Sequence, residues 1–403
     1  MLAEMFSQKS GTLDLFRQIY GGKLTATGKA VNVSTAIEVA AVFACNRVIA
    51  NGMSQVPLKL MRESADGKTR LPAKNNRLYN LVGFKPNRWQ TSFEYRQTVS
   101  WHVELCGNHF SFINRQAGHV IELYPFEPGL VKVVREDNGE LSYEVTAQNG
   151  SKQVFPADSI WHMRGPSWNS WYGMEIVKLA REAIGLSMAI EEQQGAMQKN
   201  GVRASGTYSV EGTLKDEQFK ALSAWINQNL GGSENAGKAL VLDRSAKWLP
   251  TSQTGIDAQT LETRNHQVEE ICRFFGVMPI LAGYSDKAAT YASAVEMFLA
   301  HVRNCLSPRW EAYEQSLNAA LLTERERSEG LYFNFVEEGM LRGSVKDTHA
   351  MILADVNGGI ICPNEGRALL DMNPDTDPAS DKLRIPANIV GAVPDTKPQG
   401  ATP

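Results

Sequence analysis

The sequence predicts an α+β chain of several structural units, and three observations carry that prediction. At 403 residues it is too long for one compact core and should divide into two to four units. Short alternating strands cluster from "HFSFINR" at 109 to "SIWHMRG" ending at 165, around an Asn138-Gly139 turn of the kind that closes hairpins. From Gly173 onward the apolar spacing becomes helical over long stretches.

The composition narrows the classes of function. Apolar residues at 43% and charged residues at 21% are ordinary globular values. A net charge of −3 excludes a strongly basic binder that holds nucleic acid by phosphate attraction alone. Five cysteines, Cys45, Cys106, Cys272, Cys305 and Cys362, lie far apart with no CxxC pair, which reads as buried thiols in a reducing compartment. The opening "MLAEMFSQKSGTLDLF" carries Glu4 and no signal-peptide core, and no run approaches the ~18 apolar residues of a membrane span, so no membrane partner is expected.

Residues 1–30 are polar and Gly-spaced and read as a flexible arm. "STAIEVAAVFACNRVIANGM" reads as a helix with Ser34 as N-cap and Asn51-Gly52 as its end. "VPLKLMRESADGKTRLP" reads as a hairpin about Asp66-Gly67, and "TSFEYRQTVSWHVELCG" as a helix stopped by Gly107. Strands follow in "HFSFINR", "VIELYPF", "GLVKVVRE", "ELSYEVT" and "SIWHMRG", with positive φ expected at both Asn138 and Gly139.

"MEIVKLAREAIGLSMAIEEQQGAMQKNG" reads as one long helix, with Ile176, Leu179, Ala180, Ala183, Ile184 and Ile190 along a stripe. Residues 202–256 form a small inserted unit: strands "GTYSV", "KALVL" and "AKWLP", and a helix whose Phe219, Leu222 and Ile226 should face them. "DAQTLETRNHQVEEICRFFG" is helical again, with Asp257 as N-cap, Gly276 as C-cap, and Leu261, Val268, Ile271, Cys272 and Phe275 as its apolar face. A small, nearly neutral loop follows, and then a helix from about Tyr291 to Leu322. Pro308 inside that helix should kink it near Asn304, whose carbonyl loses its amide partner. Helical pieces and a Pro-rich tail complete the chain.

Motifs for chemistry are absent. There is no GxxxxGK[ST], no HExxH and no GxSxG, and no cofactor is implied. His102 and His109 flank Cys106, but no second ligand pair accompanies them, so a helix end entering a strand is preferred to zinc. Asp243, Asp257 and Glu262 are near in sequence and could hold magnesium, yet Asp257 and Glu262 are equally explained by a helix start. Trp168 and Trp171 in "GPSWNSWYG" could stack on bases; a turn anchoring a helix start is the simpler account. Glu191-Glu192 reads as a solvated helix face. The chain is expected not to be an enzyme.

Two long helices with a small α/β unit inserted at one end, a loop at the other and a kinked helix beyond resemble the portal proteins of tailed double-stranded-DNA phages, most closely the long-tailed branch. The stretches that carry the resemblance are "AVFACNRVIANGMSQVPLKL", "ELCGNHFSFI", "DSIWHMRG", "TLETRNHQVEEICRFFGVMPILAG", "TYASAVEMFLAHVRNCLSPRWEAYEQSLNAALL" and "NGGIICPNEGRALLDM". They cover most of residues 34–375, in the expected order. Met278-Pro279 and Ala292-Ser293 depart from the family's usual residues, and both sit at the loop.

The resemblance implies a portal-type subunit. It would have a flexible arm (1–30), an α/β wing (31–170), a stem of two helices (171–200 and 257–276) and a small α/β clip (201–256). A tunnel loop (277–291), a kinked wing helix and strand (292–338), a helical crown (339–385) and a disordered tail (386–403) would follow. It implies a cyclic homo-oligomer, usually of twelve, at one capsid vertex in the virion, assembled in the host cytoplasm. Double-stranded DNA would pass through its channel. The terminase large subunit, a head-completion or adaptor protein and the major capsid protein would be its partners. By carry-over, Tyr284, Ser285, Asp286, Lys287 and Thr290 would form the DNA-channel loop, and Gly231, Gly232, Ser233, Glu234 and Asn235 a partner-docking clip loop. A loop with one cation touches phosphates without holding them, since each fixed contact slows release. Two other readings remain open: a metal-dependent nuclease or hydrolase using the acids near 243–262, and a monomeric capsid adaptor.

Overall fold

The computed structural model describes residues 24–64, 69–147, 149–200, 206–209, 216–217, 219–221, 224, 247–250, 256–284, 291–336, 345–370 and 372–384. Its contacts divide the chain into a large unit ending at Phe335 and a second unit from Val336.

The large unit opens with a segment that the sequence assigns to a loose arm. That expectation is corrected for residues 24–30, which close on themselves through a Leu24–Ala30 bridge and dock on a helix farther along. Thr27 Oγ1 donates to Gly185 O at 3.1 Å, Ala26 N donates to Glu182 Oε2 at 3.0 Å, and Lys29 pairs with Glu192. Gly185 admits the contact, because a Cβ there would stand 2.5 Å from Thr25 Cγ2.

Two helices follow, α1 (Val33–Glu38) and α2 (Ala40–Gln55), separated at Val39 by an extended residue. Asn32, not Ser34, is the cap: its Oδ1 accepts from Thr35 N at 2.9 Å, and Thr35 Oγ1 accepts from Asn32 N at 3.0 Å. α2 also runs through Asn51-Gly52, where an end was expected. Gly52 serves packing instead, since a Cβ would lie 2.6 Å from Leu306 Cδ1. The strands β1 (Leu58–Glu63) and β2 (Arg70–Pro72) pair as the sequence suggests, while the Asp66-Gly67 turn lies outside the described residues.

After α3 (Arg77–Gly83), α4 (Ser92–Cys106) starts at a capping box made by Thr91 and Glu94 and stops at left-handed Gly107. It packs along α2 and feeds β3 (Asn108–Gln116), the centre of an antiparallel sheet in the order β4-β3-β8 with β4 (His119–Phe126) and β8 (Ile160–Arg164). A second sheet, β5 (Val131–Arg135), β6 (Leu141–Thr146) and β7 (Lys152–Pro156), meets it over a core that includes Phe110, Phe126, Tyr143 and Phe155. At the β5–β6 turn only Gly139 takes a positive φ, +86°; the loop closes with Gly139 N donating to Glu136 O at 2.9 Å. That is a longer turn than the two-residue form expected.

The long helix expected from Gly173 is broken at Ala180 into α5 (Ile176–Leu179) and α6 (Arg181–Asn200). The inserted unit retains β9 (Gly206–Ser209) paired with β10 (Lys247–Pro250). Its described helical residues include Phe219, which is 63% exposed and so does not face a core within the chain. Leu222, Ile226, "KALVL" and the docking loop Gly231, Gly232, Ser233, Glu234 and Asn235 lie outside the described residues. α7 (Ile256–Phe275) packs on α6 and on α2. It begins one residue before Asp257, which is therefore inside the first turn and not the cap.

The last helical run comprises α8 (Tyr291–His301), a π-helical segment Val302–Leu306 and α9 (Ser307–Leu321). α9 crosses β8 and β11 (Leu331–Phe335), past the short α10 (Glu324–Ser328). β11 completes the sheet β11-β1-β2 as an edge, and α9 covers that edge: Asn318 accepts from Phe333 N at 2.8 Å and Glu314 accepts from Phe335 N. Trp161 of β8 donates to Ser316 Oγ at 2.7 Å.

In the second unit, α11 (Val345–Asn357) packs against α12 (Pro363–Leu369). Gly366 allows the approach, with Val356 Cγ2 2.9 Å from where a Cβ would be. Asn364 ties the following loop by accepting from Asp375 N at 2.7 Å. Among the described residues no helix is long and apolar enough to cross a membrane.

Three imidazoles, His109 buried and His102 and His162 half-buried, gather where α4, β3 and β8 meet. His102 and His109 share an Nδ1–Nδ1 hydrogen bond of 3.0 Å, and His109 Nε2 lies 2.8 Å from Ser111 Oγ. His162 Nε2 sits 3.0 Å from Asn108 Oδ1, so that ring nitrogen donates. Burial pushes His102 down to about 4 and His162 to about 3, and holds His109 well below the usual range. An unfolded chain takes up these protons near pH 6.5, whereas the folded one refuses them until far lower. Their contribution to stability is therefore complete above about pH 6.5 and is lost as pH falls toward about 4. The urea midpoint should drop clearly between pH 7.5 and pH 5.0, above the range in which ordinary carboxylates titrate. Equal midpoints at the two values would contradict the assignment.

Candidate functional site

The segment between α7 and α8 is where the resemblance would put the channel loop, and its near end is tightly built. Gly276, with φ +67°, donates to Arg273 O at 3.2 Å while Val277 N donates to Cys272 O at 3.0 Å. These paired bonds end α7 in a Schellman motif, the arrangement that spares glycine the cost of a left-handed turn. Residues 278–284 then wind into consecutive turns. Leu281 N donates to Met278 O at 2.9 Å and Tyr284 N to Pro279 O at 3.0 Å. Gly283 takes φ +87° at the exit. Tyr284 is half-buried there, whereas Ser285, Asp286, Lys287 and Thr290 lie outside the described residues.

The far end is shaped by Pro308. A proline has no N–H to offer the carbonyl four residues back. The run changes pitch just before it: Ser307 N donates to Val302 O, a π-type bond, and α geometry resumes at Ser307.

Arg309 joins the two ends. Its Nε and Nη2 donate to the Glu104 carboxylate at 2.7 and 3.0 Å. Nη1 donates to Cys305 O at 2.7 Å inside the π segment, and Nη2 also donates to Phe275 O at 3.0 Å, the last carbonyl of α7. One guanidinium thus satisfies the end of α7, the irregular turn before α9 and a carboxylate from α4. Burial alone would lower its pKa, but the Glu104 contact outweighs burial and holds it above the usual arginine range.

Cysteines fill the space around this tie. Cys45 Sγ of α2 and Cys272 Sγ of α7 are 3.6 Å apart, both buried and both free. Their hydrogen bond raises Cys45 and lowers Cys272, and burial pushes Cys305 up to about 11. They act as small apolar fillers with a weak mutual hydrogen bond. His301, 3% exposed, is lowered to about 4 by burial and by Arg309.

The α6–α7 pair is apolar on its inner side, as the stripes suggest. Ile184, Ile190, Ile271, Cys272 and Phe275 are buried, and Arg264 spans the two helices to Gln194 at 3.0 Å. Leu179 departs from its expected stripe at 57% exposed, and Phe274 is 41% exposed. Of the acids considered for magnesium, the side chain of Asp257 is not among those described. Glu262 is exposed, Asp243 lies outside the described residues, and among those described no group of three His, Cys, Asp or Glu side chains gathers as a metal site. His102 and His109 do meet, but as the buried hydrogen bond above.

Sequence reasoning missed Arg309 and Glu104. No motif marks them, and their separation of 205 residues leaves no local signal.

These features describe a structural scaffold: small sheets clasped by helices, a helical pair emerging from them, and a short built segment leading into a long interrupted helix. The profile of the phage portal protein family matches residues 40–371, and the chain belongs to that family. It is 28% identical over 381 residues to the probable portal protein of Streptomyces phage phiC31, covering 91% of this chain and 82% of the relative. It is 24% identical over 348 residues to the portal protein of Enterobacteria phage HK97, covering 85% and 81%. Among solved structures it resembles a chain from the neck of the native GTA particle computed with C12 symmetry, at TM-score 0.54 and 22% identity, covering 91% of this chain and 94% of that one.

The tie should be energetically visible. Arg309→Ala leaves Glu104, whose side chain is only 7% exposed, buried without its counter-charge, and should cost ~3–5 kcal/mol in urea denaturation. Replacing both partners by apolar residues, Glu104→Leu with Arg309→Met, should recover most of that loss. A single-variant cost below ~0.5 kcal/mol, the range of ordinary surface substitutions, would contradict the assignment.

Proposed function

We propose that this chain is a portal subunit whose copies close into a ring of twelve at one capsid vertex, with double-stranded DNA entering and leaving through the axial channel. The observation that carries this is the family match, which runs unbroken across the sheets, the paired helices and the interrupted helix. The C12 neck assembly of a similarly folded chain supports a cyclic arrangement. Leu179 of α5 and Phe274 of α7, both exposed, supply apolar surface that neighbouring copies would cover.

In this reading residues 31–170 and 292–338 form the wing, 171–200 and 257–276 the stem, 201–256 the clip and 339–385 the crown. The clip loop at 231–235 is the docking point for the terminase large subunit and later for a head-completion protein, and the wing meets the major capsid protein. The exposed Phe219 of the clip fits a surface completed by another chain. Pro308 sets a bend in the wing helix. The chain works as conduit and platform and catalyses nothing.

The segment at Tyr284–Thr290 contacts DNA. Lys287 is its one cation, and a ring of such lysines is a belt of exposed charges that attracts phosphates from any angle and fixes no register. Lys287→Ala should leave the ring's mass unchanged in native mass spectrometry while altering DNA packaging or retention, more so at low salt. Deleting 285–289 should impair packaging further with the ring still intact. Loss of assembly in either variant would refute the channel role. Magnesium-dependent cleavage of DNA by the purified chain would support the nuclease alternative instead.

A further inference from the structure

The loop between β8 and α5 presents one tryptophan outward and anchors another. Trp171 and Tyr172 pack on the aromatic core of the two sheets, while Trp168, three residues earlier, is 92% exposed. The loop that carries it is firmly built. Asn169 Oδ1 accepts from Tyr172 N at 2.9 Å and from Trp171 N at 3.3 Å, and Ser167 Oγ donates to Tyr172 O at 2.6 Å. Arg164 Nη1 donates to Ser170 O at 3.1 Å, and Ser170 is held at φ +68°, a strained value for a side-chain-bearing residue. Behind it, the fully buried Asn108 accepts from Gly173 N at 2.8 Å and donates to Gly173 O at 3.1 Å. Gly173 crosses Gly107 so closely that a Cβ would stand 1.9 Å from the Gly107 carbonyl oxygen. These contacts fix the backbone that presents the large apolar side chain of Trp168, so little backbone entropy remains to be lost when the indole docks.

A recess lies at the opposite end of the same strand. A cavity of about 740 Å³ opens where β8 begins, beside Asp158 and Ile160. Leu78, Ile160 and Leu321 give it an apolar floor, and carboxylates such as Asp158 and Glu324 on its wall are acceptors for an indole N–H. Arg77 on the lining suits a cation–π contact, for which indole is the best aromatic partner. Ile160 and Arg164 are the ends of β8, roughly 13 Å apart at ~3.3 Å per residue, with the Trp168 loop beyond Arg164. A head-to-tail ring needs this disposition: a projection on one side of the subunit and its receptor on another.

We propose that Trp168 of each subunit docks in the cavity beside Asp158 and Ile160 of the next copy, so that this pair is an anchor of the ring interface. The proposal rests on the cyclic assembly above and names the contact that closes it.

The full-length chain provides the test. Trp168→Ala, a surface change that leaves the fold intact, should raise the concentration at which rings dissociate about tenfold or more in native mass spectrometry. Ala319→Trp, which fills the recess from an exposed position on α9, should do the same without touching the loop. Ser167→Cys combined with Ala319→Cys should give a ladder of disulfide-linked multiples under copper-catalysed air oxidation. Either single cysteine should not, since the native thiols are buried. Rings of wild-type stability in both the Trp168→Ala and Ala319→Trp variants, or intact rings of the double-cysteine variant without a ladder, would overturn the contact and leave the ring itself standing. A wild-type chain that never forms rings would overturn the assembly, and the contact with it.

Discussion

A guanidinium taken out of water beside a carboxylate must recover its desolvation from geometry, and Arg309 does so by using every face of its fork. Two bonds go to Glu104, one to the π segment and one to the last carbonyl of α7. The consequence is positional. The carbonyl end of a helix and the irregular turn of another both carry unsatisfied acceptors, and a single cation placed between them makes their separation a fixed quantity. Whatever the intervening segment does, it starts and finishes on a frame that does not yield.

The rest of the large unit reinforces that frame with close backbone approaches in place of more charge. Gly52 lets Leu306 seat against α2, and Gly107 and Gly173 cross at a distance no side chain permits. Asn108 reads the crossing from both sides. The imidazoles nearby are neutral and hydrogen-bonded to one another and to Ser111, so the core between α4 and the sheet is polar yet carries no net charge. This division of labour suits a scaffold: a largely buried ionic tie between two helix ends, and close backbone packing around it.

Much of this was legible in the residues. The helix over "TSFEYRQTVSWHVELCG" with its stop at Gly107, the end of α7 at Gly276 and the disturbance before Pro308 follow from local chemistry, and the structure places each where that chemistry acts. The misses have a common cause. Asn51-Gly52 looks like a helix end because a glycine needed for packing and a glycine needed for a turn are the same letter. Ser34 lost the cap to Asn32 because either side chain can serve and only the surrounding geometry decides. Trp168 and Trp171 are equivalent in sequence, yet one anchors and one projects. Arg309–Glu104 was invisible, since no periodicity links residues so far apart. The lysine and acid of the channel segment and the clip loop were read from resemblance and stand as proposals.

The claim on which the account depends is that copies of this subunit repeat around an axis. Electron microscopy of the purified full-length chain, imaged on end over a range of concentrations and salt, addresses it directly. The account requires closed rings with a central hole and a single dominant rotational symmetry. Particles that remain single subunits throughout, or that join into open chains without closing, would contradict it.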